Sequence, residues 1–267
     1  MTNNLLTLRY TALCLASVLL SQPAFAVDLI GHTKSKHPLD VVSEISGKVE
    51  MANIEIGEKV TLGTLIASIK SQDFELEVNK QNANLQLAKS DLKIKTSLYK
   101  RYQELRSKNS LSQNELDIAQ ADYQSAQANL SLAQIELTKA RLDVDNTQIN
   151  AAINGYVVNR STENGAWVNQ GDLLYRIVNI DTLNVRLLAS EFDISELNVG
   201  QPIELWSEAN PTLKVKSVIK RIGVEVDPQY FAYPVEVEID NTQHQFKPGM
   251  SIHATTLMSP ISQTQSN

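Results

Sequence analysis

Apolar residues recur every seven positions through the middle of this chain. Val78, Leu85, Leu92 and Tyr99 form one series; Leu116, Tyr123, Leu130, Leu137 and Val144 form a second. Ala119, Ala126, Ala133 and Ala140 stand three residues after the first four members of the second series. A large residue at one core position and alanine at the other predicts a close-packed coiled-coil seam. No glycine lies between Gly63 and Gly155, and no proline between Pro38 and Pro202. Two helical arms of about 50 Å each, at 1.5 Å per residue, joined near Arg106 to Leu111, give an antiparallel hairpin over 71–149. Ser112 with Glu115 three residues on is a capping box that restarts the helix. A further stripe, Ala121, Ala128, Ile135 and Leu142, keeps the same period off the main seam. It reads first as a widened core face toward the first helix, and second as a packing stripe for another protomer.

Outside the hairpin the period changes to alternation, the mark of half-buried strands. Gly47, Val49, Gly57, Val60, Gly63, Leu65 and Ile69 recur as Gly155, Val157, Gly165, Val168, Gly171, Leu173 and Ile177, every pair 108 positions apart. Two such half-motifs, 39–70 and 150–180, predict a small β-sandwich in which each half covers the apolar face of the other. The strands are expected over Val60 to Ile69 and Val168 to Val178, after turns at Asn53 to Gly57 and Asn159 to Gly165. Residues 27–38 with 181–258 predict a small β-barrel. Its strands are Asn184 to Ala189, Pro202 to Trp206, Leu213 to Val226, Tyr233 to Ile239 and Met250 to Leu257, with Pro211 as punctuation and a helical turn within Glu191 to Leu197. The polar tail, 259–267, is expected to be disordered. The fold class is therefore mixed α and β, elongated, with a split sandwich, an inserted hairpin and a following barrel.

Residues 1–26 read as a cleavable secretory signal. Arg9 supplies the basic region, Tyr10 to Leu20 the apolar run and Ala24-Phe25-Ala26 the small-x-small site. The run is short of the ~20 residues that span a bilayer. Cys14 lies inside it, so the exported chain offers no disulfide, thiol nucleophile or cysteine metal site. With 24 Lys plus Arg against 30 Asp plus Glu, the formal charge of −6 argues against nucleic acid as a partner. His32, His37, His244 and His253 have no ligand spacing and read as exposed loop residues; no G-x-S-x-G or phosphate loop is present. Enzymatic activity is not expected, nor a cofactor, nor a metal site, since Met51, Met250 and Met258 are scattered.

The order signal, half-motif, hairpin, half-motif, barrel resembles the periplasmic adaptor, or membrane fusion protein, family of bacterial efflux pumps. The matching stretches are Ser46-Gly47-Lys48-Val49, Gly57-Glu58-Lys59-Val60 with Gly63, Asn154-Gly155-Tyr156-Val157, Gly165-Ala166-Trp167-Val168 with Gly171-Asp172-Leu173-Leu174, and Pro248-Gly249-Met250. The resemblance implies that the split repeat is a lipoyl-like sandwich. It also implies that Arg101, Leu105 and Ser112, in the spacing of members that dock on TolC-like channels, contact an outer-membrane channel at the hairpin tip. Ordinary roles stand beside these: a solvated helix charge, a core-closing leucine and a cap. An inner-membrane resistance-nodulation-division (RND) transporter is the implied second partner. Protomers are expected to form a ring of three or six, or to join a second adaptor, in the periplasm. The family usually has Ala-Pro ahead of the second half's glycine, and Ala151-Ala152-Ile153-Asn154-Gly155 lacks the proline; the family's membrane-proximal domain is expected to be absent or vestigial. An adaptor of an ABC-type exporter or type I secretion system is the nearest alternative. A lipoyl or biotin carrier is disfavoured because the hairpin occupies the turn that would display its lysine, leaving Lys70 and Lys80 as helix-base charges.

Overall fold

A computed structural model describes residues 26–257 of the chain. The signal reading of 1–26, Ala26 apart, and the tail at 259–267 lie outside the described residues. The fold is mixed α and β, as the sequence predicts, and divides into two units: His37–Asn179, and the described parts of Met1–Lys36 with Ile180–Asn267.

In the first unit, eight strands form two four-stranded sheets. These are β2 (Leu39–Val42), β3 (Gly47–Met51), β4 (Lys59–Val60), β5 (Leu65–Ile69), β6 (Gln148–Asn150), β7 (Gly155–Arg160), β8 (Trp167–Val168) and β9 (Leu173–Val178). The sheet orders are β2-β9-β7-β4 and β6-β5-β3-β8. The two halves therefore do not lie one on the other as the sequence led us to expect. Successive strands of each half alternate between sheets, so each sheet takes two strands from each half. The reason is visible in the backbone bonds. Gly57 N–H donates to Val157 O and Gly165 N–H to Val49 O, both at 2.8 Å. Gly63 N–H donates to Ala151 O and Gly171 N–H to Ser43 O, again both at 2.8 Å. Each half thus completes the other's ladder, and the 108-residue register extends to β2 and β6.

The six repeat glycines divide by role. Gly57, Gly63, Gly165 and Gly171 have φ between 83° and 92°, where a side chain is strained. Gly63 and Gly171 break the expected single strands into β4 with β5 and β8 with β9. Gly47 and Gly155 instead permit close approach within the sheets. Val49, Val60, Ile66, Ile69, Val157, Leu174 and Ile177 are fully buried between the sheets, each contributing roughly 1.5–3 kcal/mol by transfer from water.

Two helices leave this sandwich, α1 (Gln72–Ser107) and α2 (Gln113–Asp145). Ala119, Ala126, Leu137 and Ala140 are buried and Leu116, Tyr123, Leu130, Ala133 and Val144 half-buried, so the predicted seam faces α1 along its whole length. Across it Tyr99 stacks on Tyr123 with ring centroids 5.5 Å apart, and Lys95 Nζ lies 2.7 Å from Asp122 Oδ2.

The second unit is a closed six-stranded barrel in the order β1-β10-β13-β12-β11-β14. Its strands are β1 (Asp28–Ser35), β10 (Thr182–Ala189), β11 (Pro202–Ser207), β12 (Asn210–Ile222), β13 (Tyr233–Asp240) and β14 (Ser251–Thr256). Alternate residues such as Leu183, Val185 and Leu187, or Val235, Val237 and Ile239, fill the interior. Pro211 lies within β12 and does not punctuate it; as the second residue of the strand it falls where a missing N–H is tolerated. The strand stops at Ile222 and not at Val226. Gly223 then packs so tightly that a Cβ there would lie 2.6 Å from Pro234 Cγ. The predicted helical turn is a short 3-10 turn, Ile194–Glu196.

Candidate functional site

The hairpin tip is where the sequence places its partner-contact residues. The local chemistry builds it from both sides of a five-residue connection. Helix α1 ends on Lys108, and Asn109 follows with φ of 55°. Ser110 N–H donates to Leu105 O and Asn109 N–H to Arg106 O, both at 2.9 Å. This is a Schellman motif, which usually places glycine at the left-handed position. Asparagine tolerates that conformation, and its use here accounts for a turn inside a glycine-free stretch. On the other side, Ser112 caps α2. Glu115 N–H donates to Ser112 Oγ at 3.3 Å, and Ser112 N–H donates back to Glu115 Oε2 at 3.0 Å.

Arg101 is exposed on α1, Leu105 is half-buried one turn further on, and Ser112 is exposed at the start of α2. The spacing of four puts Arg101 and Leu105 on one face of the helix. Leu105 also supplies a turn carbonyl, and Ser112 is committed through its side chain to the cap. Arg106 is the residue that sequence reasoning missed. Its Nε donates to Gln113 Oε1 at 3.2 Å and a terminal nitrogen to Leu111 O at 3.1 Å, tying the end of α1 to the beginning of α2. A basic side chain in the last helical turn was the available signal.

The Glu115 carboxyl is held below its ordinary pKa, first by the Ser112 hydroxyl and then by the Ser112 backbone N–H. A lowered folded pKa stabilises the fold fully above the unfolded glutamate value of about 4.3, and that stabilisation fades as pH falls through the folded value. We therefore expect acid to fray the tip before the seam. Amide exchange at Glu115 and Leu116, taken relative to the intrinsic rate at each pH, should accelerate on acidification in the parent. In a Glu115→Gln variant, which keeps the cap without a charge to titrate, that acceleration should be absent.

The stripe Ala121, Ala128, Ile135 and Leu142 does not widen the core toward α1. All four residues are exposed, with Ile135 at 62% and Leu142 at 55%. Each lies five positions past a seam residue, which at 100° per residue is about 170° from the centre of the seam. Ile118 and Leu132 extend this outer face of α2, and α1 carries Leu76, Leu87 and Ile94 exposed on its own outer face.

Two of the four histidines are not loop residues. His32 lies in β1 and His253 in β14. Burial, then Lys34 and Arg186, keep the His32 imidazole below its ordinary pKa. His253 stacks at 6.1 Å on Trp206. His244 Nε2 lies 2.8 Å from Asp181 Oδ1, and His37 is exposed ahead of β2. Lys80 pairs with Glu77 at 3.1 Å on the surface of α1. Among the described residues no group of three or more His, Cys, Asp or Glu side chains is placed to hold a metal ion, and no helix is long and apolar enough to cross a membrane.

Comparison with known proteins follows the same division. Residues 77–147 match the family model "RND MFP, alpha-helical hairpin domain", and residues 184–259 match "CusB-like, beta-barrel domain". Multidrug resistance protein MdtA of Pectobacterium atrosepticum is 22% identical over 84% of this chain and 56% of its own length. Macrolide export protein MacA of Yersinia pestis is 25% identical over 87% of this chain and 68% of its own length. The chain thus spans little more than half of MdtA. Among solved structures, MacA from Actinobacillus actinomycetemcomitans superposes with a TM-score of 0.76 at 21% identity, covering 87% of this chain and 78% of that one. ZneB from Cupriavidus metallidurans gives 0.57 at 20% identity, covering 88% and 98%.

Proposed function

Because the chain belongs to the RND membrane fusion protein family of periplasmic adaptors, we propose that it is the adaptor of a tripartite efflux pump. It joins an inner-membrane RND transporter to a TolC-like outer-membrane channel and has no chemistry of its own. Drugs or other small toxic compounds are the cargo, and the transporter supplies the energy. The tip makes the channel contact, with Arg101, Leu105 and Ser112 presented to the channel's periplasmic helices in a helix-in-groove manner.

The observation that carries this reading is the hairpin's inverted polarity. Its seam is filled internally, yet both outer faces keep apolar stripes that its own chain leaves uncovered. Charge follows the same division. Between Lys89 and Ser107, α1 has six Lys or Arg against two acids; between Gln113 and Leu130, α2 has three acids and no base. Setting α1 of one copy beside α2 of the next joins unlike charges and buries Leu87 and Ile94 against Leu132 and Ile135. Such a head-to-tail contact closes into a ring when its rotation allows, and a ring of three or six suits a conduit. A second adaptor could fill the same place.

Affinity isolation of the tagged protein from cell envelopes, with its partners identified by mass spectrometry, tests the proposal. An RND transporter and a TolC-like channel are the expected companions. Recovery of an ABC-type exporter or a type I secretion ATPase would move the protein to that class, and recovery of neither partner would defeat the adaptor reading.

A further inference from the structure

The barrel has two unlike ends. At one, β10 ends, β11 begins, β12 ends and β13 begins, as the pairs Ala189 with Tyr233, Ile222 with Val235 and Pro202 with Val218 require. The start of β1 and the end of β14 join them there, through Asp28 paired with Thr255. Two loops cross this end, 190–201 and 223–232. They expose Phe192 at 88%, Val224 at 98% and Phe231 at 82%, with Val199 and Tyr230 beside them. Among the described residues of the loops at the opposite end, 208–209 and 241–250, no large apolar side chain is exposed.

Phe231 is held out against its own backbone preference. Its φ is 50°, a genuine outlier for a bulky side chain. The loop fixes it there: Phe231 N–H donates to Asp227 O at 2.8 Å, and Asp227 N–H donates to Ala232 O at 2.9 Å. Asp227 is itself anchored by Arg186 through an ion pair. Strain of this kind persists only where the surroundings over-determine it. Phe192 is comparably presented: its carbonyl accepts from Ser195 Oγ, and Ser190 Oγ donates to Asp193 Oδ2 at 2.6 Å, closing the loop behind it.

We infer that this apolar rim is a membrane-surface contact: the side chains of Phe192, Val199, Val224, Tyr230 and Phe231 enter the interfacial layer of a bilayer. Two observations favour lipid over a protein groove. The side chains project singly from two separate loops and do not form a packed face. Tyr230 is of the type that settles at the headgroup level, and phenylalanine is among the residues that bury at the headgroup/acyl boundary. The rim's charges are acidic, Glu191, Glu196 and Glu225 being exposed, so the contact is apolar and does not depend on anionic lipid. This inference is independent of which transporter and channel the protein serves.

The test is flotation of the exported protein, as isolated from the envelope, with phosphatidylcholine vesicles. The parent should float with the vesicles and keep doing so at high salt. A Phe192→Ser/Phe231→Ser variant should lose at least tenfold in bound fraction, while Leu62→Ser, at an exposed apolar residue of the sandwich, changes nothing. Both substituted phenylalanines are solvent-exposed, so an unchanged melting curve is expected and separates lost binding from lost folding. Equal flotation of parent and double variant would overturn the inference. So would binding that needs anionic lipid, or photo-cross-linking from position 231 that captures only a protein.

Discussion

Gly155→Ala should be the most damaging single-methyl change in the sandwich, and its repeat mate Gly47→Ala should cost less. A Cβ at Gly155 would lie 2.4 Å from Val178 O and 2.8 Å from its carbonyl carbon, both backbone atoms of the paired strand. Relief requires β7 and β9 to separate, and with them the central pair of one sheet. At Gly47 the nearest atom, at 2.5 Å, is Cγ2 of the buried, β-branched Ile69 side chain, whose displacement disturbs the core but leaves the strand backbones paired. Overpacking of a well-filled core costs about 1–3 kcal/mol and occasionally more. Gly155→Ala belongs at or above the top of that range and Gly47→Ala within it. Urea unfolding of the full-length protein, followed by circular dichroism, would rank them. Equal losses would show that the repeat's geometric equivalence extends to its tolerance, contrary to the contacts described.

At the tip the expected loss is of function and not of fold. Arg101→Glu reverses an exposed charge that makes no ion pair shorter than 4 Å among the described residues. Surface charge changes of that kind usually stay within about 0.5 kcal/mol. Ser112→Asp keeps an N-cap acceptor, since aspartate caps as well as serine. Both proteins should therefore be exported and melt like the parent. If the tip meets a channel, the pair of substitutions should reduce drug or detergent resistance to the level of a deletion strain and abolish cross-linking to the channel. A Ser112→Ala change, by contrast, should cost about 1 kcal/mol of cap while leaving cross-linking largely intact. Full resistance in the double variant would leave Arg101 as a solvated charge and Ser112 as a cap only.

Periodicity made the hairpin readable to within a few residues, because a seven-residue repeat reports which face is covered. It could not show which residues meet across the seam. Tyr99 and Tyr123 were both visible as seam positions, yet their stacking depends on how far the turn offsets the two arms. The outer stripe was misread for a related reason: an apolar row advertises burial, but only its angle to the seam decides whether the chain's own partner helix can reach it. The repeat glycines were evident from spacing, whereas the exchange of strands between sheets was not. That exchange is written in backbone bonds such as Gly57 to Val157 and Gly165 to Val49, which no side-chain pattern encodes. Asn109 was invisible for the simplest reason, since the left-handed turn position was filled by a residue other than glycine. In the barrel, alternation located five of the six strands, β1 being assigned only as part of the segment 27–38, and the close approach of Gly223 to Pro234 set where β12 stops.

The interleaving of the sandwich also bears on how the chain finds its fold. Strand β3 pairs with β8 and β4 with β7, contacts that join residues about a hundred positions apart and are slow to form by diffusion. An unstructured connection of the length between Ile69 and Thr147 would cost roughly 4 kcal/mol of closure entropy from the (3/2)RT ln n term. The hairpin removes most of that cost by zipping from its turn with only local contacts, until Ile69 N–H meets Thr147 O at 2.8 Å. The inserted helices thus act as a built-in assembly jig: once closed, they deliver the two half-motifs in register, and the longest-range pairing in this unit becomes a neighbourly event.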